Sequence, residues 1–183
     1  NNMALIIVGD FDAETTKPMI EETFGRLQYK ELPERPTYPK TSFAGNPKHK
    51  FKVGYYPMVV WAYDGVNMTD KDLLPLQFVV SLLNNSTNTG LLDKLNIDGT
   101  VSSVGASVDA RRDQGRILIQ AIPYFDANQQ TYESNAATEK IVNAEINRLK
   151  MGDIPDWLIQ TVKAEYAQNY KLAFESSDTK MDA

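Results

Sequence analysis

The chain has 183 residues, 42% of them hydrophobic and 23% charged, with a formal net charge of -5 and no cysteine. That is room for one domain, or one domain with part of another, and for a core of useful size. The acidic balance argues against nucleic-acid binding, which needs a basic face, and the missing thiols exclude disulfides, thiolate catalysis and cysteine-based zinc sites.

No apolar run is long enough to span a membrane, and no segment reads as a signal peptide. Compartment stays open between bacterial periplasm and cytoplasm. The chain starts at Asn1 without Met and stops inside a helical pattern, which suggests a piece of a longer protein.

Met3–Val8 is a continuous apolar, partly β-branched run and predicts a strand buried on both faces. Asp12 is a candidate cap for the helix that follows, with Met19, Ile20, Phe24 and Leu27 as its apolar stripe. Pro18 either delays that helix or kinks it. Leu32–Pro47 carries Pro33, Pro36, Pro39 and Pro47 and reads as an extended linker.

Lys50–Tyr56 alternates and predicts a strand, broken by Pro57, and Met58–Tyr63 predicts a second. Thr69 or Asp70 can cap a helix over Leu73–Leu83, apolar almost all round and so expected to be buried. Thr89 or Gly90 opens a short helix with Leu91, Leu92 and Leu95 inward, and Asp98-Gly99 marks a turn. Val101–Asp109 and Arg116–Pro123 predict a strand pair joined by Arg111–Gly115. Thr131–Leu149 predicts a long helix, buried through Ala137, Ile141, Ala144, Ile146 and Leu149, and ended by Gly152. A last helix follows Pro155, lined by Trp157, Leu158, Val162, Tyr166 and Tyr170 and running towards Phe174. This order predicts an α+β fold: a mostly antiparallel sheet with helices packed on one face.

The chemistry-bearing residues are few. His49 is the only histidine and sits among lysines, without a visible carboxylate to orient it. One histidine and no cysteine do not make a zinc site. Asp109 and Asp113, beside Arg111-Arg112, read as a charge-neutralised loop or as ligands of a hard cation. Ser86, Thr87, Thr89, Ser102, Ser103 and Ser107 lack an activating base, so they read as caps and loop hydrogen bonds. Gly90, Gly99 and Gly105 have neither dinucleotide-binding nor P-loop spacing. Trp61, Tyr55 and Tyr63 fall on predicted strands and read as packing residues.

What remains is a groove. Asn84–Gly90 offers polar loop groups and a helix N-terminus whose free donors suit an anion or a peptide carboxylate. Val101–Ser107 offers a strand of small residues that could accept an extended peptide along its edge. The plain alternative is a sheet strand packed beside a helix.

One family matches these motifs in order. Asn1-Asn2-Met3-Ala4-Leu5-Ile6-Ile7-Val8-Gly9-Asp10-Phe11-Asp12, with Glu21-Glu22-Thr23-Phe24-Gly25, resembles the segment that closes the first domain of pitrilysin/insulinase-type zinc metallopeptidases. Asp70-to-Leu83, Thr89-Gly90-Leu91-Leu92-Asp93-Lys94-Leu95, Gly99–Ser107 and Gly152-Asp153-Ile154 with Leu158 and Lys163 are similar to later elements of that family. The family's His-x-x-Glu-His zinc motif is absent here. The resemblance therefore implies a second, non-catalytic domain: residues 1–30 would end the preceding domain, 31–48 would link, and 49–183 would form the inactive domain.

It further implies a partner, the catalytic domain of the same parent chain with its zinc, and a chamber that encloses a peptide substrate. Where many relatives place a substrate-holding Arg and Tyr, this chain has Asn96 and Ser102. In four-domain relatives the second domain anchors a substrate's N-terminus through loops that align with Asn85–Gly90 and Val104–Ala110. The implied substrate-binding residues are Asn85, Ser86, Asn88, Gly90, Asn96, Ser102, Gly105 and Ser107, with no catalytic or metal-binding residue and no cofactor in this chain. A structural or assembly subunit of the same fold, or a free-standing ligand-binding domain, are the alternatives. The apolar Met3–Val8 strand should pair somewhere, in its own chain or swapped into a homodimer.

Overall fold

The computed structural model describes residues 4–28, 30–36, 38–39, 45, 47–52 and 54–172. The chain divides into two compact units, Asn1–Thr37 with Glu165–Ala183, and Tyr38–Ala164.

In the first unit, helix α1 spans Ala13–Phe24. Asp12 caps it as expected, accepting the Thr15 N–H at 2.8 Å. That bond, with further help from the Thr15 side chain, holds the Asp12 carboxyl below its ordinary value. Pro18 lies inside the helix without preventing it. Two expectations fail here. No residue of α1 is buried, so the Met19, Phe24 and Leu27 stripe faces solvent. Ala4–Val8 forms no strand and has Leu5 57% and Ile6 63% exposed; Met3 lies outside the described residues.

The second unit is built on a three-stranded antiparallel sheet of order β1-β3-β2, with β1 Val59–Gly65, β2 Ser103–Ala110 and β3 Gly115–Ile122. The β2–β3 hairpin is the one its sequence predicts, closed by the Arg111 N–H on the Gln114 carbonyl at 3.0 Å. Side chains alternate across a strand. Val59, Trp61 and Tyr63 therefore share a face with Ile117, Ile119 and Ala121 and with Val104, Ala106 and Val108.

Val104, Ile119 and Ala121 are buried, as are helix residues Val80, Leu82, Leu83, Leu91, Leu92, Leu95, Val142, Ile146, Leu158 and Val162. These come from α2 (Leu73–Leu83), α3 (Leu91–Ile97), α4 (Asn135–Lys150) and α5 (Asp156–Leu172). The fold is α+β, as predicted, with one sheet face against the helices.

Several local expectations give way to tertiary geometry. The described part of Lys50–Tyr56 is coil and bend, with Tyr55 fully exposed. Gly54 takes φ +91, which breaks an extended backbone, and Val53 lies outside the described residues. Among the described residues Tyr55 thus packs on nothing, whereas Trp61 and Tyr63 are half-buried on the helix-covered face. The Tyr63 ring lies 5.6 Å from Lys150 Nζ, and burial raises its phenol above the ordinary value.

Helix α2 is not buried all round, since Leu74 and Val79 are exposed. Its N-cap is Asp72, whose own N–H is held by Asp70 Oδ1 at 2.9 Å. Thr131-Tyr132 does not begin α4 but forms β5, paired with β4 at Phe125-Asp126. The helix starts instead after Ser134, whose Oγ accepts the Ala137 N–H at 3.2 Å. Its buried row is Thr138, Val142 and Ile146, while Ala144 is exposed. A threonine can head that row because its hydroxyl bonds the Ser134 carbonyl at 3.4 Å.

The predicted stop at Gly152 and the predicted turn at Gly99 both hold. After α4, Asp153 N–H reaches the Arg148 carbonyl at 2.9 Å and Gly152 N–H the Leu149 carbonyl at 3.1 Å, with Gly152 at φ +70. After α3, Thr100 N–H reaches Leu95 and Gly99 N–H reaches Asn96 in the same pattern, with Gly99 at φ +65. Each is a Schellman closure, which needs a left-handed residue and so favours glycine. In α5, Leu158 and Val162 are buried, but Trp157 and Tyr170 are exposed; Phe174 lies outside the described residues.

Candidate functional site

The stretch from Asn84 to Ser107 is held together by one buried carboxylate and three asparagine side chains. Asp93 is 1% exposed. It occupies the third position of α3, where a carboxylate can reach back to the N-cap amide. Asp93 Oδ2 accepts the Gly90 N–H at 2.9 Å and the Asn85 N–H at 3.0 Å, and Oδ1 accepts from the Asn84 side-chain amide. The Gly90 N–H at the helix start, which could have met an external anion, is thus used by a residue of the chain itself.

Asn85 then organises the loop. Its Oδ1 accepts from Thr87 Oγ1 at 2.8 Å and from the Thr89 N–H at 3.1 Å, while its Nδ2 donates to the Ser81 carbonyl at 3.1 Å. Asn88 sits at φ +54, a conformation asparagine tolerates better than most residues. Gly90 is required for a different reason: a Cβ there would strike the backbone of Leu83 and Asn84.

The edge of β2 is occupied in the same way. Asn96 Oδ1 accepts the Val104 N–H at 2.7 Å, and its Nδ2 donates to the Val104 carbonyl at 2.8 Å. The side-chain amide imitates one residue of a neighbouring strand. Asn84 Oδ1 takes the next outward group, the Ala106 N–H, at 3.4 Å. The expectation that this edge accepts a peptide strand is therefore corrected along Val104–Ala106: the outward N–H groups at both positions, and the Val104 carbonyl, already have partners. Capping an edge with side chains also blocks unwanted sheet pairing.

The eight sequence-derived residues accordingly divide. Asn85, Gly90 and Asn96 are committed to internal bonds, and Ser102 Oγ accepts the Phe125 N–H at 3.0 Å. Ser86 and Asn88 are exposed on the loop. Gly105 and Ser107 lie on the sheet face opposite the buried Val104 and Ile119, with Gly105 half-buried and Ser107 exposed. Asp93 was missed as an organiser. The signal for it was a carboxylate three residues after Gly90, at the head of a leucine-rich turn.

Elsewhere, Asp109 bonds Arg111 Nε at 3.1 Å and Arg116 Nε at 2.9 Å. Those bonds, Arg111 first, hold its carboxyl below the ordinary value, which favours the charge-neutralised reading of this loop over a cation site. His49 is exposed, its ring 6.2 Å from that of Phe51. Among the described residues no group of three or more His, Asp or Glu side chains could hold a metal, and none of the helices is long and apolar enough to cross a membrane.

The site is thus a helix-covered antiparallel sheet whose flanking loop and β2 edge bond polar side chains within the chain. Residues 1–166 match the family described as the Peptidase M16 inactive domain, and the chain belongs to that family. Its fold is similar to the crystal structure of a protease from Helicobacter pylori, at TM-score 0.73 and 19% identity, covering 96% of this chain. The chain spans 42% of the length of that protease. Among curated proteins none matches.

Proposed function

We propose that this chain is one wall of the peptide-enclosing chamber of a pitrilysin-type zinc endopeptidase, docking substrate while a partner catalytic domain holds the zinc and performs hydrolysis. The observation that carries the reading is the open face of the sheet. Opposite the helices it presents Val60, Ala62, Gln120, Ser103 and Ser107 exposed, with Leu118 and Gly105 half-buried. A shallow surface of small and apolar side chains, with a few hydroxyl and amide groups, suits an extended peptide of mixed sequence.

On this reading Gly105 and Ser107 contact peptide directly. Ser86 and Asn88 reach it from the loop rim, and Asn85, Gly90, Asn96 and Ser102 hold the surface in shape. Residues 1–30 then close a preceding domain, 31–48 link, and 49–183 form the wall. Zinc does not belong to this chain, whose one histidine is exposed and whose cysteines number zero.

The test is a peptide titration of the isolated chain followed by amide NMR. Shifts at Ser103, Gly105, Ser107 and Gln120 are expected, with no cleavage and no stoichiometric zinc by elemental analysis. Zinc-dependent cleavage by this chain, or shifts confined to the helices, would overturn the reading.

A further inference from the structure

We infer that Arg111 and Arg116, drawn together by Asp109, form a carboxylate clamp at one end of the open sheet face, so that the peptide this face docks, as proposed above, is one that carries an acidic group.

Strand register places the clamp. Arg116 shares the face of Leu118 and Gln120 on β3, and its direct partner Asp109 shares the face of Gly105 and Ser107 on β2. The open face therefore ends in charge at the β2–β3 turn. Asp109 accepts from Arg116 Nε at 2.9 Å and from Arg111 Nε at 3.1 Å, which brings both guanidinium groups to one carboxylate. Only Nε is used in these bonds. The Nη nitrogens of both arginines have no partner among the described residues. The two side chains are 68% and 48% exposed, Arg111 the more so. A guanidinium presents its donors as a planar fork that matches a carboxylate.

The turn that carries Arg111 is braced. The Arg111 N–H donates to the Gln114 carbonyl at 3.0 Å, and the Arg111 carbonyl accepts the Met68 N–H at 2.9 Å. The chain after β1 can lie this close because residue 115 is glycine, where a Cβ would strike the Val66 carbonyl. With the Arg111 backbone and both Nε atoms held, the forks lose little further freedom when a ligand arrives.

Charge selects a single carboxylate. Two arginines against Asp109 leave one positive charge, and Arg112 and Asp113 cancel at the exposed tip of the turn. Asp64 faces Arg116 from β1 in register, but among the described residues no ion pair joins them, so Asp64 weakens the clamp without filling it. A polyanion would meet a chain of net charge -5. From the clamp, a peptide lying along β2 reaches Ser107 after about 7 Å and Gly105 after about 13 Å. One ligand can therefore touch both the clamp and the face.

The carboxylate can be a peptide's C-terminus or an Asp or Glu side chain, and three forms of one dye-labelled decapeptide separate these. The first is a C-terminal amide without acidic residues, the second is the free acid, and the third is the amide with one Glu. Fluorescence anisotropy with the whole chain at low salt gives the affinities, and amide and arginine Nε–H NMR locates the contact. At least one acidic form should bind about three- to ten-fold tighter than the neutral amide and shift the Arg111 and Arg116 Nε–H signals. A gain confined to the free acid marks a terminal carboxylate, and a gain confined to the Glu form marks a side chain. Arg111→Gln and Arg116→Gln should each reduce the gain and together abolish it, whereas Asp64→Asn should increase it. Equal affinities for all three forms, with Gly105 and Ser107 amides still shifting, overturn the clamp and leave the docking face standing. A gain that survives in the double arginine variant also overturns the clamp. Binding of none of the three overturns both.

Discussion

Replacing Asp93 by alanine should be among the most damaging single changes in this domain. The carboxylate serves three donors: the Gly90 N–H at 2.9 Å, the Asn85 N–H at 3.0 Å and the Asn84 side-chain amide. A buried donor left without an acceptor costs about 1–3 kcal/mol. Gly90 is buried, so its N–H carries the full penalty, whereas Asn84 and Asn85 are half-buried and can turn partly to water. Removing a buried charge returns some of the loss. The net expectation is about 3 kcal/mol, or roughly 6–12 °C in Tm for a domain of this size.

Urea unfolding followed by circular dichroism would measure it, with an unchanged slope marking a pure stability effect. Asp93→Asn keeps one acceptor oxygen and the side-chain shape, and should lose about half as much. The double variant with Asn84→Ala should be less destabilised than the sum of the singles, since both remove one shared bond. A loss below about 1 kcal/mol for Asp93→Ala, or strict additivity with Asn84→Ala, would refute the claim that this carboxylate organises the loop.

Other changes test neighbouring parts of the argument. Asn96→Ala should cost about 1–2 kcal/mol and speed hydrogen exchange at the Val104 amide, because it strips both bonds from the β2 edge. Gly90→Ala should cost about 1–3 kcal/mol in the same unfolding assay, because its Cβ meets the Leu83 carbonyl although its φ of -66 suits any residue. Gly99→Ala should cost about 1 kcal/mol or more through its left-handed backbone alone, as open space surrounds it.

The Asp109 carboxyl should titrate below its ordinary 3.8 in an NMR experiment, and Arg111→Ala should bring it back part of the way. A folded value below the unfolded one means its contribution is complete above the unfolded value and disappears as pH falls through the folded one. Acidification below about pH 4 should therefore narrow the stability gap between wild type and Asp109→Asn.

The sequence by itself determined the parts governed by short-range stereochemistry and pattern. The β2–β3 hairpin, α3 with Gly90 before it, the Asp12 cap, the Gly99 turn and the Gly152 stop all follow from residues a few positions apart. So does the α+β class, which rests on the order of elements.

The tertiary structure decided what depends on distant partners. Lys50–Tyr56 alternates like a strand, but alternation supplies no neighbour to pair with, and Gly54 turns the chain away. The stripe of α1 is amphipathic, yet burial requires a second surface. Thr138 heads the buried row of α4 because a backbone carbonyl one turn back satisfies its hydroxyl, a fact no hydropathy pattern records. At the candidate site the difference is sharpest. Asparagine and glycine suit a binding loop and an internally bonded loop equally well in sequence, because the same amide groups serve either purpose. Which purpose they serve depends on what lies opposite them, and the fold placed Asp93 and the edge of β2 there.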